Sequence, residues 1–425
     1  MTAKEICLLN DSFPPLIDGV ANAVVNYARY LPSSEWDVSV VTPENPDAED
    51  SGFPYPVIRY PAIDLRKTIG YTAGNPFSIS SQNRIARRDI ALLHSHCPIM
   101  SNIMARQLRT RMDVPLVLTY HTKFDVDIAN AVRSRILQEG AVHALVESVC
   151  ACDELWVVSN GAGENIRSLG YEGDWVVMEN GVDISVGRAS ERDIASVTGE
   201  HDLPRDVPVF LFVGRLMWYK GIRLILDALK ALHDQDIDYR MVFVGSGTDE
   251  SDIRGYVSKL NLSGKCFFIG PVRDREKLRC WYTRADMLLF PSTFDTNGLV
   301  VREAAACGLP SVLVRGSCAA EGVTGGHNAF LIHEDPASLA VCITKNMHDR
   351  ALLRSVGENA SRELYISWED SVKKASERYA VVIDNYHSGR YPRHNDLTES
   401  VLSLEAMTMD AGQRIHDYLV SMRKR

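Results

Sequence analysis

Short runs of consecutive apolar residues recur along this chain, each closed by a glycine, proline or small polar cluster and followed by helical periodicity. In the first half they fall at Ile6–Asn10, Val38–Thr42, Tyr55–Tyr60, around Ile90–Leu93, and at Pro115–Tyr120, Leu155–Ser159 and Trp175–Met178. In the second half they fall at Val209–Val213, Met241–Val244, Cys266–Ile269, Ala285–Phe290, Ser311–Val314 and Ala329–Ile332. Runs that are apolar at every position, instead of alternating, read as strands buried on both faces of a parallel sheet. Helices are predicted at Ala21–Leu31, Ile222–Leu232, Glu276–Thr283 and Leu299–Cys307, and in the amphipathic run that ends at Tyr386. The expected class is α/β, with parallel sheets covered on both faces. A polar stretch of mixed charge, Ile184–Pro208, interrupts the pattern, and 425 residues exceed what one core organises. This places one domain at 1–185, a linker at 186–208 and a second domain at 209–365.

Composition is that of a globular protein, 45% hydrophobic and 24% charged, with no repeat and no apolar segment of bilayer length. The nine cysteines are scattered through apolar runs without paired Cys-x-x-Cys spacing, which predicts a cytoplasmic protein without structural zinc. A net charge of -9 argues against a nucleic-acid partner. Against that balance, Arg84, Arg87, Arg88, Arg106, Arg109 and Arg111 crowd one region, joined by Arg66 and Lys67. This is either a solvated helix face or a patch for peripheral contact with an anionic membrane.

The candidate chemistry concentrates between Phe290 and Pro310. There a buried strand runs into a loop bearing Asp295, Asn297 and Gly298, and a helix follows that carries Glu303. A helix that opens on glycine with unpaired N–H groups attracts phosphate, and two carboxylates flank this one. A second glycine-flanked loop, Gly214–Gly221, holds Arg215 and Lys220 before the next helix, where each can face a diphosphate. Gly19 lies in the loop after the first strand, and Gly245 opens an incomplete Gly-x-Gly turn after Val244. At strand ends of the first half stand His94 and His96, then His121, with Asp125 and Asp127 beyond. Two histidines on one strand face suggest a metal, but no third ligand is adjacent.

The acidic pair Asp295 and Glu303, separated by seven residues that include Asn-Gly-Leu-Val, resembles the signature of the family-4 retaining glycosyltransferases. Its usual form has glutamate at both ends; the shorter Asp295 is similar to a bacterial branch that includes glycolipid-forming 1,2-diacylglycerol glucosyltransferases. Gly214-Arg215-x(4)-Lys220-Gly221, Tyr120-His121-Thr122 and Asn180-Gly-Val-Asp183 resemble further motifs of that family in the expected order. The resemblance implies two facing doubly wound domains, the GT-B arrangement, with a crossover helix at 366–388 returning to the first domain. Residues 389–425, a helical extension, lie beyond the family pattern.

For the site, the resemblance implies that Arg215, Lys220, the Gly298 helix start and Gly19 neutralise a departing nucleotide diphosphate. Asp295 would bond sugar hydroxyls, Glu303 the ribose, and His121 would border the transferred sugar. Gly245, Val272, Asn297, Leu299 and Val300 would line the donor, with Val272 against the base; His96 and Asp125 fall on the acceptor side. No cofactor or metal is implied, since no Asp-x-Asp motif lies where a metal-dependent transferase would place it. The expected reaction is retaining transfer of glucose from UDP-glucose to a hydroxyl acceptor, diacylglycerol at the inner face of a membrane. Two alternatives stay open: transfer from GDP-mannose to a phosphoinositide or a soluble acceptor, and a sugar-nucleotide-binding protein in which Asp295 is too short for transfer.

Overall fold

The computed structural model describes residues 3–16, 18–33, 35–64, 72–125, 128 and 134–391. They form two compact units, one made of the residues up to Glu179 with those from Trp368 on, the other of Asn180–Ser367.

In the first unit the order is β1 (Lys4–Leu9), α1 (Gly19–Tyr30), β2 (Trp36–Pro43), β3 (Val57–Tyr60), the small antiparallel pair β4 (Ala62–Asp64) and β5 (Thr72–Gly74), and α2 (Ile79–Ile85). Then come β6 (Ile90–Ser95), α3 (Met100–Met112), β7 (Leu116–Tyr120), α4 (Arg135–Cys150), β8 (Glu154–Val157), α5 (Asn160–Ser168) and β9 (Trp175–Val177). The main sheet runs β3-β2-β1-β6-β7-β8-β9, parallel throughout. Along β1, Ile6 and Leu8 enter one core cluster and Cys7 and Leu9 another, so each face of the strand is covered and the stretch Ile6–Leu9 is apolar throughout.

The second unit holds α6 (Glu191–Thr198), β10 (Val209–Val213), α7 (Ile222–His233), β11 (Arg240–Val244), α8 (Glu250–Lys259), β12 (Cys266–Gly270) and α9 (Arg275–Arg284). It continues with β13 (Met287–Phe290), α10 (Leu299–Ala306), β14 (Ser311–Val314), β15 (Phe330–Ile332), α11 (Pro336–Asn346) and α12 (Arg350–Glu363). Its parallel sheet runs β12-β11-β10-β13-β14-β15 around one continuous core. Strand order reverses between β1 and β6 in the first sheet and between β10 and β13 in the second. Ligands of open α/β sheets bind beyond the carboxyl ends of the strands at such switch points.

The last described helix, α13 (Trp368–His387), packs on the first unit. Trp36 donates its indole N–H to Ser376 at 2.8 Å, and the Tyr379 hydroxyl meets His94 Nδ1 at 2.5 Å.

Two expectations change. The stretch 186–208 is not a bare linker, because α6 lies inside it, capped by Ser190 and burying Ile194 and Thr198 within the second unit. Gly187 N–H donates to the Ala306 carbonyl at 2.8 Å and Ala189 N–H to Thr283 Oγ1 at 3.1 Å. Its few apolar positions are masked in the sequence by the charges between them. The arginine cluster also divides. Arg106 and Arg109 are buried, Arg109 donating to the Ala151 carbonyl, and Arg88 pairs with Glu5 at 2.6 Å. Arg84, Arg87 and Arg111 remain exposed. Half of the cluster thus serves the fold, because a charge placed under a helix stays buried only when paired. Arg66, Lys67, Asp127 and the extension beyond Tyr391 lie outside the described residues.

All nine cysteines are free thiols. Among the described residues no helix is long and apolar enough to cross a membrane.

Candidate active site

In the second unit the switch point brings together the loops after β10 and β13. A tight helical turn, Trp218–Lys220, follows β10, and Gly221 (φ 78°) turns the chain into α7. The Lys220 side chain is 9% exposed, and its ammonium donates to Asp295 Oδ1 at 2.6 Å. Ser292 donates to the other carboxylate oxygen at 2.5 Å, so both atoms of Asp295 are held. The rings of Tyr219 and Phe294, 4.6 Å apart, sit together on one side of Lys220 Nζ at 5.5 and 5.4 Å. Arg215 is exposed, with its guanidinium 6.0 Å from the Tyr219 ring. The expected cationic pair and the first acid of the signature therefore share one corner of the domain.

Helix α10 begins there. Gly298 sits in the left-handed region at φ 61°, and a Cβ on it would come within 2.8 Å of the Ala319 Cβ, so only glycine suits this start. No side chain caps the helix. Asn297 is buried, its Oδ1 accepting from Arg302 Nε at 3.1 Å while its Nδ2 lacks a hydrogen-bond partner among the described residues. Leu299 and Val300 form the first turn, half-buried.

One turn on, Glu303 is 8% exposed. Its Oε2 accepts from the Tyr282 hydroxyl at 2.7 Å and its Oε1 from Arg275 Nη1 at 3.2 Å. Burial pushes its carboxyl above the usual range, against the pull of Arg275 and Tyr282. Val272, half-buried, lies on the turn between β12 and the helix that carries those two residues. Gly245 has a close-packing role: φ is 136° and a Cβ would lie 1.9 Å from the Gly214 carbonyl oxygen, so it lets the ends of β10 and β11 approach.

In the first unit Gly19 opens α1, and a Cβ there would meet nothing within 4 Å. The Asp18 carboxylate caps that helix by accepting from Val20 and Ala21 N–H at 2.9 and 2.7 Å. An anion at Gly19 would therefore share the helix start with a carboxylate. At the ends of β6 and β7, His96 Nδ1 lies 3.0 Å from His121 Nε2, with the two rings stacked. His94 uses both nitrogens within the fold, on Tyr379 and on Thr119 Oγ1 at 2.7 Å. That makes it a core residue, and no group of three metal-ligating side chains occurs among the described residues. Asp125 accepts from Asn165 Nδ2 at 3.3 Å on α5. Sequence reasoning passed over Asp11, which follows β1 and accepts from Met100 and Ser101 N–H at 3.1 and 2.7 Å, capping α3 from outside the helix. Only the switch point, which a sequence does not display, marks it.

Burial pulls His94, His96 and His121 below the ordinary imidazole range, with neighbouring imidazoles adding for the first two, and brings His121 down to about 3. In the unfolded chain they titrate near 6.5 or so, at about the free value. Below that pH the unfolded chain takes up protons that the folded chain refuses. Stability therefore falls with acid, by about 1.4 kcal/mol per pH unit for each imidazole. Urea unfolding should show a lower midpoint at about pH 5.5 than at about pH 7.5, and His121→Gln should flatten the difference. Unchanged midpoints would mean that these imidazoles are not held neutral.

Comparison with known proteins gives the family and the fold. The pattern described as Glycosyltransferase Family 4 matches residues 17–186, and that described as Glycosyl transferases group 1 matches residues 194–363. The chain belongs to the glycosyltransferases that join these two domains. It is 26% identical over 412 residues to a sulfoquinovosyl transferase of Arabidopsis thaliana, covering 89% of this chain and 74% of that one. It is 28% identical over 320 residues to a D-inositol 3-phosphate glycosyltransferase of Catenulispora acidiphila, covering 71% and 73%. The structure of Anabaena HepE with UDP and glucose superposes with a TM-score of 0.69 at 17% identity, over 88% of this chain and 99% of that one. The fold of this glycosyltransferase is thus GT-B, built from two Rossmann-like domains, and its reaction moves a sugar from a nucleotide sugar to an acceptor.

Proposed function

We propose that this glycosyltransferase moves glucose, with retention of anomeric configuration, from UDP-glucose to a hydroxyl of diacylglycerol at the inner face of a membrane, without a metal. The observation that carries the donor half is the Lys220–Asp295 contact at 2.6 Å beside an uncapped, glycine-started helix. Breaking the sugar–phosphate bond leaves negative charge on the departing diphosphate, so fixed positive charge at that end lowers the barrier. Lys220, Arg215 and the N–H groups of α10 supply it from this chain. Asp295 takes sugar hydroxyls, and Glu303 takes the ribose. No side chain of the signature is a free nucleophile, which suits attack on the same face as the leaving phosphate, with that phosphate accepting the proton of the attacking hydroxyl.

The lipid acceptor rests on the Asp295 form of the signature; the arginine cluster lends it less support once Arg88, Arg106 and Arg109 are in the fold. A second reading, transfer to an inositol phosphate from GDP-mannose or a related donor, is favoured by the relatives that carry D-inositol 3-phosphate in their names.

The test is a panel of UDP-glucose, UDP-galactose and GDP-mannose against diacylglycerol in anionic vesicles and against inositol 3-phosphate. Products are read by mass spectrometry and their anomeric configuration by NMR. An α-glucosyl lipid from UDP-glucose is expected. A product from inositol phosphate alone establishes the second reading, and nucleotide binding without any product makes the chain a sugar-nucleotide-binding protein.

A further inference from the structure

Glu303 is oriented from a single neighbouring helix. Both of its hydrogen-bonding partners come from α9, where Arg275 and Tyr282 lie two turns apart on one face. Each contacts a different oxygen of the carboxylate, so the group is gripped at both ends and its plane is set. An ionised carboxylate offers about two acceptor directions on each oxygen. Arg275 and Tyr282 use one on each, and one on each is left. That remainder matches a vicinal diol, whose two hydroxyls arrive side by side.

The two partners differ in what else they can do. Tyr282 is fully buried, so its hydroxyl serves Glu303 and reaches no ligand. Arg275 is half exposed and shares its guanidinium with Asp183, whose Oδ2 is 3.8 Å from Nη2. Asp183 ends the Asn180-Gly-Val-Asp183 turn, which thereby also bears on Glu303 through Arg275. Burial works against the charge on this carboxyl, and the two donors of α9 oppose that effect. If the carboxyl were protonated, one oxygen would become a donor, and it could no longer accept from both hydroxyls of a diol.

We propose that Tyr282 and Arg275 are positioning residues that hold Glu303 ready for the two ribose hydroxyls, and so make this domain discriminate a ribonucleotide from its deoxy counterpart. The inference rests on the reading of Glu303 as the ribose acceptor. Its consequence is specific. Loss of either partner harms recognition of the ribose while leaving recognition of the base and phosphates in place.

The experiment is calorimetric titration of the full-length protein and of Tyr282→Phe and Arg275→Lys with UDP and with 2′-deoxy-UDP. The wild type should prefer UDP by about tenfold or more, the worth of a hydrogen bond to a charged group. In Tyr282→Phe that preference should shrink severalfold, with the affinity for 2′-deoxy-UDP little changed, and Arg275→Lys should shift in the same direction. A purely structural role would weaken both nucleotides alike and leave the ratio intact, which overturns the inference. A wild type that binds both nucleotides equally overturns the ribose reading of Glu303, and the inference with it.

Discussion

Replacing Lys220 by alanine lowers kcat/KM for the nucleotide sugar by about two to three orders of magnitude, about 3 to 4 kcal/mol of transition-state stabilisation. The size follows from where the ammonium sits. Its side chain is 9% exposed, it is held by a turn that Gly221 closes, and its charge is fixed by Asp295 before any ligand arrives. A cation already oriented has no reorganisation left to undergo when charge develops on a leaving diphosphate. Water entering the alanine cavity supplies a dipole in place of a full charge. The loss should fall mainly on kcat if Lys220 acts on developing charge, and mainly on KM if it only holds the ground state. UDP release at varied donor concentration separates the two. An unchanged thermal midpoint should accompany the variant if the fold is intact, and transfer at the wild-type rate would remove Lys220 from the chemistry.

Replacing Asp295 by alanine should cost about two orders of magnitude, and the Lys220→Ala, Asp295→Ala double variant should be little worse than Lys220→Ala alone. The two groups touch at 2.6 Å, and Ser292 holds the other oxygen of Asp295, so the three behave as one unit. Removing the carboxylate frees Lys220 to leave its place and, on the proposed function, also takes away an acceptor for sugar hydroxyls. Losses that add in full would show that lysine and aspartate act separately. The same geometry bears on the shorter first acid of the signature. Aspartate fits the span between Lys220 and Ser292, and Asp295→Glu would push an extra methylene against a pair already at hydrogen-bonding distance.

Much of this arrangement was legible in the chain because buried parallel strands leave an uninterrupted apolar signal. Val209–Val213 and Ser311–Val314 appear at the expected bounds, and the loops after them keep their glycines where left-handed or closely packed backbone requires them. The meeting of Lys220 with Asp295 at 2.6 Å follows from two motifs that each stand beside a strand end. What was not legible depends on partners distant in sequence. Helix α6 hides in a charged stretch because only Ile194 and Thr198 need cover. Arg106 and Arg109 read as surface charge, yet they sit on the buried side of α3. His94 looks like a metal ligand from its spacing to His96, and its hydroxyl partners lie on β7 and on α13. Tyr282 carried no signal, since a tyrosine in an apolar helix face reads as packing until its hydroxyl is seen on Glu303.

The central claim is that the second domain holds a nucleotide by its diphosphate, with Lys220 as the principal cation. Its most direct test is the calorimetric affinity of the wild type and of Lys220→Ala for UDP and for UMP, which differ by the terminal phosphate. UDP should bind the wild type about ten- to a hundredfold more tightly than UMP, and that difference should largely vanish in Lys220→Ala. Equal affinities in the wild type, or a UDP preference that survives loss of the lysine, would contradict the account.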